Sequence, residues 1–388
     1  MMSLKFFNIW NRIVTKSGDL VLFTSFPDFS DNAFAYFLHH FQVTGGSFKY
    51  VWLVLEERKE FNEKMINSYL GSTEWKRVTR IVPKRSFGGV WSYLRAKEIY
   101  FTHGFYTGLR SAKEQRRIYL SHGMPLKAVG HLNRFGDPKT IPYSDYTIAT
   151  SPFFQKIVAK AFGLPKERVL VTGLPRNDLL FEPKDCLERF GLPRGKKIVF
   201  WAPTFRRALG KEMKDGRFGG GLPLLGSDLT DFDSFLSSLD AHLLIKLHPM
   251  DRLNRSDFGS YENITIIRND DLLQKGCQLY SLLGQADLLI TDYSSIFVDY
   301  LLLDRPIIFA IHDLEEYRRS RDFVVEDPLQ YMPGPIVKDA KGLKMALEKA
   351  LEKDLYSSER ARVCELFHTY RRDFSKRLYE RLGQIDGN

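Results

Sequence analysis

Cysteine is scarce in this chain. Cys186, Cys277 and Cys364 are far apart, odd in number and without CxxC spacing, so neither a disulfide framework nor a thiolate zinc site is supported. A reducing cytosolic setting fits best. No apolar run approaches the ~18 residues that a membrane span requires, and no signal peptide opens the chain. Familiar phosphate and hydrolase signatures are missing as well. Without GxxxxGK[ST] and without a convincing GxGxxG fingerprint, a P-loop ATPase and a nicotinamide enzyme are disfavoured. Without Gly-x-Ser-x-Gly, so is an α/β-hydrolase. His242 and His248 are six apart with no acids at ligand spacing, so no metal site or cofactor is expected, and a divalent-metal requirement stays open. Acidic residues are outnumbered, 47 against 57 lysines and arginines, which leaves a net charge of +10. Such an excess favours an anionic partner: nucleic acid, anionic lipid or a polyanionic substrate.

A chain of 388 residues is long enough for about two domains, each burying its own core. Short apolar runs alternate with helical stretches. Strands are expected at Leu20–Ser25, Tyr50–Leu55, Glu98–Thr102, Arg117–Ser121, Tyr146–Thr150 and Arg168–Thr172. The runs Val51-Trp52-Leu53-Val54-Leu55 and Ile118-Tyr119-Leu120 are continuous rather than alternating, as in strands covered on both faces. Breaker residues at Pro183, Gly191-Leu192-Pro193 and Gly195 mark a junction, so the domains are read as 1–180 and 181–388. The second restarts the pattern, with strands at Lys197–Trp201, Ala241–Leu247, Ile264–Ile267, Asp287–Thr291 and Pro306–Phe309. Between the first two lies a glycine- and charge-rich loop, 211–228. Within residues 1–16, Phe6, Ile9, Trp10 and Ile13 share helical spacing while Lys5, Asn8, Asn11, Arg12 and Lys16 occupy other faces. Such a helix either lies in an anionic membrane interface or packs on its own domain.

Five segments place polar or basic residues directly after an apolar strand. Ser121-His122-Gly123-Met124-Pro125-Leu126-Lys127 offers a histidine suited to take a proton near neutral pH; a lone histidine is otherwise structural. Thr172-Gly173-Leu174-Pro175-Arg176-Asn177-Asp178 makes a rigid turn whose Arg176 faces a phosphate or bridges a carboxylate. Trp201-Ala202-Pro203-Thr204-Phe205-Arg206-Arg207 adds a hydroxyl and guanidiniums that suit phosphate, or a solvated loop. In Leu244-Ile245-Lys246-Leu247-His248-Pro249, Lys246 and His248 share a strand face, which is costly without a nearby anion. Finally Leu288–Phe309 reads as strand, turn at Asp292, helix with Ser294, Ser295 and Asp299, then strand. Its hydroxyls and backbone N–H groups can hold phosphate or merely cap the helix; Asp299 is placed to accept from ribose hydroxyls. Together the donors suit a nucleoside diphosphate.

The order SHGMPLK, TGLPRND, WAPTFR, IKLHP, TDYSSIFVDYLLLDRPIIF, with a late MPGP at 332–335, resembles the CDP-glycerol glycerophosphotransferase family, whose members build teichoic acids and related polyol-phosphate polymers. The likeness covers about Ser121 to Pro335, with Ser25-Phe26 and Ser30-Asp31-Asn32 similar to the family's early turn. It implies the GT-B fold, two Rossmann-like domains with parallel sheets facing across a cleft: an acceptor domain, 1–180, and a CDP-donor domain, 181–388. It implies that a polyol phosphate passes from a CDP-polyol to a hydroxyl of a lipid-linked or polymeric acceptor, releasing CMP, at the cytoplasmic face of a bacterial membrane. His122 would be the base and His248 would assist at the diphosphate. Thr204, Arg206, Lys246, Asp292, Ser294, Ser295 and Asp299 would hold the donor, while Lys127 and Arg176 would serve the acceptor or support the site. No nucleic acid partner is expected. The family's usual WHGTPLK is here SHGMPLK, so Ser121 and Met124 bear on acceptor specificity. A GT-B glycosyltransferase using a UDP- or CMP-sugar could share the strand-end histidine and serine pair, and a non-catalytic membrane or polyanion binder would need only the positive surface.

Overall fold

The computed structural model describes residues 4–55, 58–104, 106, 108–182, 184–203, 222, 224–226, 228–247 and 258–386. Seven strands form the first sheet: β1 (Ser17–Thr24), β2 (Lys49–Val54), β3 (Thr79–Pro83), β4 (Ala96–Phe101), β5 (Arg116–Tyr119), β6 (Tyr146–Ala149) and β7 (Val169–Val171). Six form the second: β8 (Lys197–Ala202), β9 (Ala241–Lys246), β10 (Ile264–Ile267), β11 (Leu288–Thr291), β12 (Ile307–Ala310) and β13 (Ile336–Val337). The orders are β3-β2-β1-β4-β5-β6-β7 and β10-β9-β8-β11-β12-β13, and the paired strands are parallel. Both sheets therefore carry the doubly wound 3-2-1-4-5-6 order, and the chain is a pair of Rossmann-like domains of the GT-B type. Two strands escaped the sequence reading. β3 mixes Arg80 and Pro83 into its pattern and lies at a sheet edge, where proline is tolerated; β13 is only two residues long.

The aromatic content has a structural use. Register places Phe23 of β1 beside Trp52 of β2 and Tyr100 of β4. The three rings stack across one sheet face, with Phe23 at 5.6 Å from Trp52 and 5.1 Å from Tyr100. Phe29 stacks on Trp52 at 4.5 Å, and Phe34 and Phe37 of the helix Asp31–Thr44 close over the ladder. Cross-strand aromatic pairs of this kind stabilise a sheet beyond their buried area.

The halves are joined closely. Backbone groups of Leu126 and Ala128 bond to Val324 and Asp322 across the domains. Tyr69 donates to Ser281 and accepts from the Gln278 amide, both at 2.8 Å. Asp178, after β7, caps the final helix Phe374–Asp386 by accepting from the Phe374 and Ser375 amides at 2.9 Å. That helix returns to the first half, where Tyr379 packs edge-on against His39 and His40. Residues 181–388 thus do not all pack in one half.

The N-terminal helix, Leu4–Ile13, docks by its polar side. Asn11 is buried and donates to Arg110 O and Gln115 Oε1, while Asn8 bonds the backbone at 108 and 110. Ile9, Trp10 and Ile13 remain exposed, Ile13 to 74%. The segment packs on its own domain, as one of the two expectations had it, and leaves Ile9, Trp10 and Ile13 facing solvent.

The aromatic ladder sets a stability prediction. Phe23→Ala should destabilise the protein by about 3–5 kcal/mol, read from chemical denaturation followed by tryptophan fluorescence; a loss under about 1 kcal/mol would show that the ladder repacks freely.

Candidate active site

In each sheet the winding reverses at the middle, between β1 and β4 and between β8 and β11. Loops leave such a switch point in opposite directions and open a crevice beyond the strand ends. His103 follows β4 there, and Asp292-Tyr293-Ser294-Ser295 follows β11. His122 follows β5, the next strand over.

Local chemistry explains how His122 is presented. Ser121 adopts φ +57°, a left-handed conformation uncommon outside glycine. Asn32, fully buried, pins that turn by donating to Leu120 O at 2.9 Å and Ser121 O at 3.2 Å. The turn swings the His122 ring outward, where it is exposed to solvent at the base of a crowded crevice. Its Nδ1 lies 3.4 Å from Tyr119 Oη, and its ring stacks on His103 at 4.7 Å between centroids. The crowding of protein atoms lowers its pKa; Asp31 opposes the shift, while Arg176 and Lys127 add to it. A neutral imidazole with one open nitrogen can act as a general base. Met124, where the family pattern has threonine, is fully buried in the core, so that difference falls on packing rather than on the crevice.

Beneath His122 sits Arg176, buried, at the start of the turn Pro175–Leu180. Its guanidinium donates to Asp31 Oδ1 at 2.8 Å, to Asp299 Oδ2 at 2.6 Å and to His122 O at 3.0 Å, and lies over the Tyr280 ring at 4.5 Å. Burial works against its charge, but Asp31, Tyr280 and Asp299 outweigh burial and keep it protonated. Arg176 is therefore a bridge between halves rather than a group held out to an acceptor.

The same contacts correct the expectation for Asp299. It is 0% exposed, and it accepts from Arg176, from Asn177 Nδ2 at 2.9 Å and from Tyr280 Oη at 2.6 Å. A carboxylate so enclosed holds Arg176 and is not presented to a ribose. Ser294 and Ser295 precede the helix Ile296–Tyr300 rather than lying within it. Ser294 Oγ accepts from the Ile296 amide at 3.4 Å, as a cap would, whereas Ser295 makes no capping bond. Ser295 instead meets the first half: a Cβ on Gly123, whose φ is +137°, would collide with Ser295 Oγ and lie 3.0 Å from the Arg176 guanidinium. Asp292 is buried at the end of β11.

Lys246 ends β9, buried, with Nζ donating to Leu247 O at 2.7 Å. Burial lowers its pKa to about 8, Arg268 reinforcing and Asp271 opposing the shift. It lines a cavity of about 390 Å³ between the halves, with Asp28, Arg58, Arg176, Arg268 and Tyr280 among the walls. Lys127 is half-buried and its backbone forms an antiparallel bridge to Phe323, so it too belongs to the domain junction. Thr204, Arg206 and His248 lie outside the described residues. Among the described residues no group of three or more His, Cys, Asp or Glu is arranged to hold a metal ion.

The sequence reading missed His103, Tyr280 and Arg268, and had Asp31 only within the early turn Ser30-Asp31-Asn32. His103 had a signal, since Thr102-His103-Gly104 repeats the pattern of Ser121-His122-Gly123 one strand earlier. Tyr280 and Arg268 had none, because only folding brings them to the crevice.

Removing Arg176 would strand the buried Asp299 and the half-buried Asp31. Arg176→Ala should cost about 3–5 kcal/mol by denaturant titration. Arg176→Lys should recover only part of it, as one ammonium does not span Asp31, Asp299 and His122 O together; full recovery would refute the three-way bridge.

Known proteins resemble this chain in sequence and in fold. A family model described as CDP-Glycerol:Poly(glycerophosphate) glycerophosphotransferase matches residues 6–383. A teichoic acid ribitol-phosphate polymerase from Staphylococcus aureus is 27% identical over 370 residues, covering 88% of this chain and 64% of that protein. A teichoic acid ribitol-phosphate primase from Bacillus spizizenii is 33% identical over 221 residues, 54% of this chain and 52% of the primase. The chain thus spans about half to under two thirds of these relatives' own length. A structure of a variant of the wall teichoic acid polymerase TagF superposes with a TM-score of 0.75 at 22% identity, covering 98% of this chain and 91% of that one, a likeness of fold. With a match running nearly end to end, the chain belongs to the CDP-glycerol:poly(glycerophosphate) glycerophosphotransferase family.

Proposed function

We propose that this protein transfers a polyol phosphate, glycerol phosphate or ribitol phosphate, from a CDP-polyol to a hydroxyl of a lipid-linked or polymeric acceptor. The observation that carries the reading is the meeting of Gly123, beside the neutral His122, with Ser295 across the cleft. A base from one domain then stands next to the phosphate-binding segment of the other. With Nδ1–H donating to Tyr119, His122 Nε2 holds the lone pair that takes the acceptor's proton. The acceptor oxygen forms a bond to the β-phosphorus as the bond from that phosphorus to the bridging oxygen breaks. CMP departs with the electron pair. Ser294 and Ser295 hold the diphosphate, and Lys246 with Arg268 offsets the charge gathering on the leaving phosphate. Thr204, Arg206 and His248 are assigned to the same donor side.

The acceptor is anionic and tied to a membrane in this reading, and the exposed apolar faces support it. Ile9, Trp10 and Ile13 are exposed on a helix that contacts the helix Phe87–Arg95, where Phe87, 82% exposed, stacks on the exposed Trp91 at 6.5 Å. Arg12, Arg85 and Arg95 are exposed on the same segments. Apolar anchors with basic neighbours suit docking on anionic lipid, on the cytoplasmic side where the nucleotide donor is made. Among the described residues no helix is long and apolar enough to cross a membrane.

His122→Ala should lower CMP release from CDP-glycerol or CDP-ribitol by at least about a thousandfold, with CDP affinity by calorimetry changed under about threefold. Because the base works unprotonated and its pKa is depressed, kcat/KM should fall only as pH drops below the ordinary histidine range, staying level through neutrality. Retained turnover would remove His122 from the role. Release of nucleotide from UDP- or CMP-sugars, and none from CDP-polyols, would transfer the site to a glycosyltransferase. For docking, Ile13→Ser with Phe87→Ser should reduce co-sedimentation with phosphatidylglycerol vesicles by tenfold or more, since each buried side chain contributes about 1.5–3 kcal/mol. Turnover on a soluble acceptor should not change; undiminished lipid binding would place the contact elsewhere.

A further inference from the structure

The sequence places Thr102-His103-Gly104 and Ser121-His122-Gly123 just past the ends of two adjacent parallel strands. Register pairs Phe101 with Tyr119, so continuing both strands sets His103 opposite Ser121, one residue short of His122. The left-handed turn at Ser121 brings the second imidazole back over the first. The two rings stack at 4.7 Å with only 19° between their planes. His103 is itself held from two sides. Its Nδ1 lies 3.0 Å from Thr102 Oγ1, and Phe26 packs edge-on against its ring at 5.5 Å and 73°.

His122 needs that neighbour. Rotation of an imidazole about its second side-chain torsion is soft and roughly two-fold. Its ring contact with Tyr119, at 3.4 Å, is long for fixing a plane, and a backbone bond at Thr102 anchors an edge of the ring rather than its face. A flat partner on one face removes the remaining tilt. It also sets a charge condition, because two imidazolium rings at this separation repel strongly in a crevice of reduced dielectric. The groups facing His122 come from every side: Asp31 from the helix after β1, His103 from the end of β4, Tyr119 from β5, Lys127 from the following loop and Arg176 from the turn after β7. Only Asp31 among the charged groups favours its protonation; Arg176 and Lys127 oppose it, and His103 opposes it whenever it carries a proton itself.

We propose that His103 is a positioning residue for His122: its stacked ring fixes the plane in which His122 Nε2 meets the acceptor hydroxyl and discourages a second positive charge there. It rests on the reading of His122 as the base of the transfer reaction. Its own position, at the switch point of the first sheet, is where an α/β sheet presents functional groups.

The test uses the full chain with His103→Ala and His103→Phe, each checked for an unchanged thermal midpoint. With CDP-glycerol as donor, His103→Ala should lose about ten- to a hundredfold in kcat, as misplaced groups do, while donor KM stays within about twofold. His103→Phe keeps a flat ring and should recover kcat to within about threefold at pH 8. It should still shift the acidic limb of kcat/KM upward, because a phenyl face favours the imidazolium where a protonatable ring does not. In parallel, selectively labelled histidine followed by NMR reads the ring without any turnover. The His122 Hε1 resonance should lose its ring-current shift in His103→Ala, keep it in His103→Phe, and titrate at higher pH in the phenylalanine variant. An unaltered His122 resonance and titration in His103→Ala would overturn the proposal, as would equal kcat in that variant. If the wild type releases no CMP from any CDP-polyol while the resonance responds as described, the transfer reading fails and the ring pairing stands. The two failures are therefore distinct.

Discussion

One buried positive charge ties this molecule together. Arg176 comes from the turn after the last strand of the first sheet, and its guanidinium reaches Asp31 in its own half, Asp299 in the other and the backbone of His122 between them. Burying three ionised groups is costly, and a well-packed apolar cluster would serve stability as well or better. What the bridge supplies is direction. A guanidinium has a planar fork of donors, so the carboxylates on either side hold their distance and angle, and the cleft keeps one width. Asn177 adds a second bond across the halves, to Asp299, while Tyr280 fixes Asp299 from within the second half and Asn32 accepts from the Arg176 amide within the first.

That geometry separates the proposed chemistry into two environments. On the first half, a histidine raised on a strained turn stands among groups that keep it neutral. On the second, a lysine and an arginine line the cavity, and burial lowers the lysine's pKa to about 8, so an arriving phosphate would strengthen its hold on the proton. A base and an electrophilic phosphate can coexist there only if their charges are kept apart until the substrates bridge them. The close approach of Gly123 to Ser295 sets how near the two environments come, and it requires a residue without a side chain at position 123.

The N-terminal helix shows the same economy of contacts in reverse. Its asparagines turn inward and bond the backbone of the first domain, while isoleucine and tryptophan face outward. Apolar faces normally drive a helix onto its core. Here the polar face is satisfied by the loop at residues 108–110 and by Gln115, so the apolar face is left for the lipid surface proposed above.

Much of the architecture was legible because it is local. Continuous apolar runs such as Val51–Val54 announce a strand covered on both sides, and the five strand-end motifs kept their order. The proline-bearing β3 and the two-residue β13 were hidden because edge strands need little apolar pattern. The site divides along the same line. Residues 121–123, 175–178 and 292–299 stood out as candidates from residue type beside a strand end. Which of them face one another was not. Asp299, read as a ribose ligand, proved to be the buried partner of Arg176, since a carboxylate's neighbours are chosen by packing between halves 123 residues apart in sequence. His103 stacks on His122 because two parallel strands stand in register, a fact that no window of sequence contains. Periodicity and turn chemistry act over a few residues and so are written in the chain; partners across a cleft are decided only when two cores have condensed and their surfaces meet.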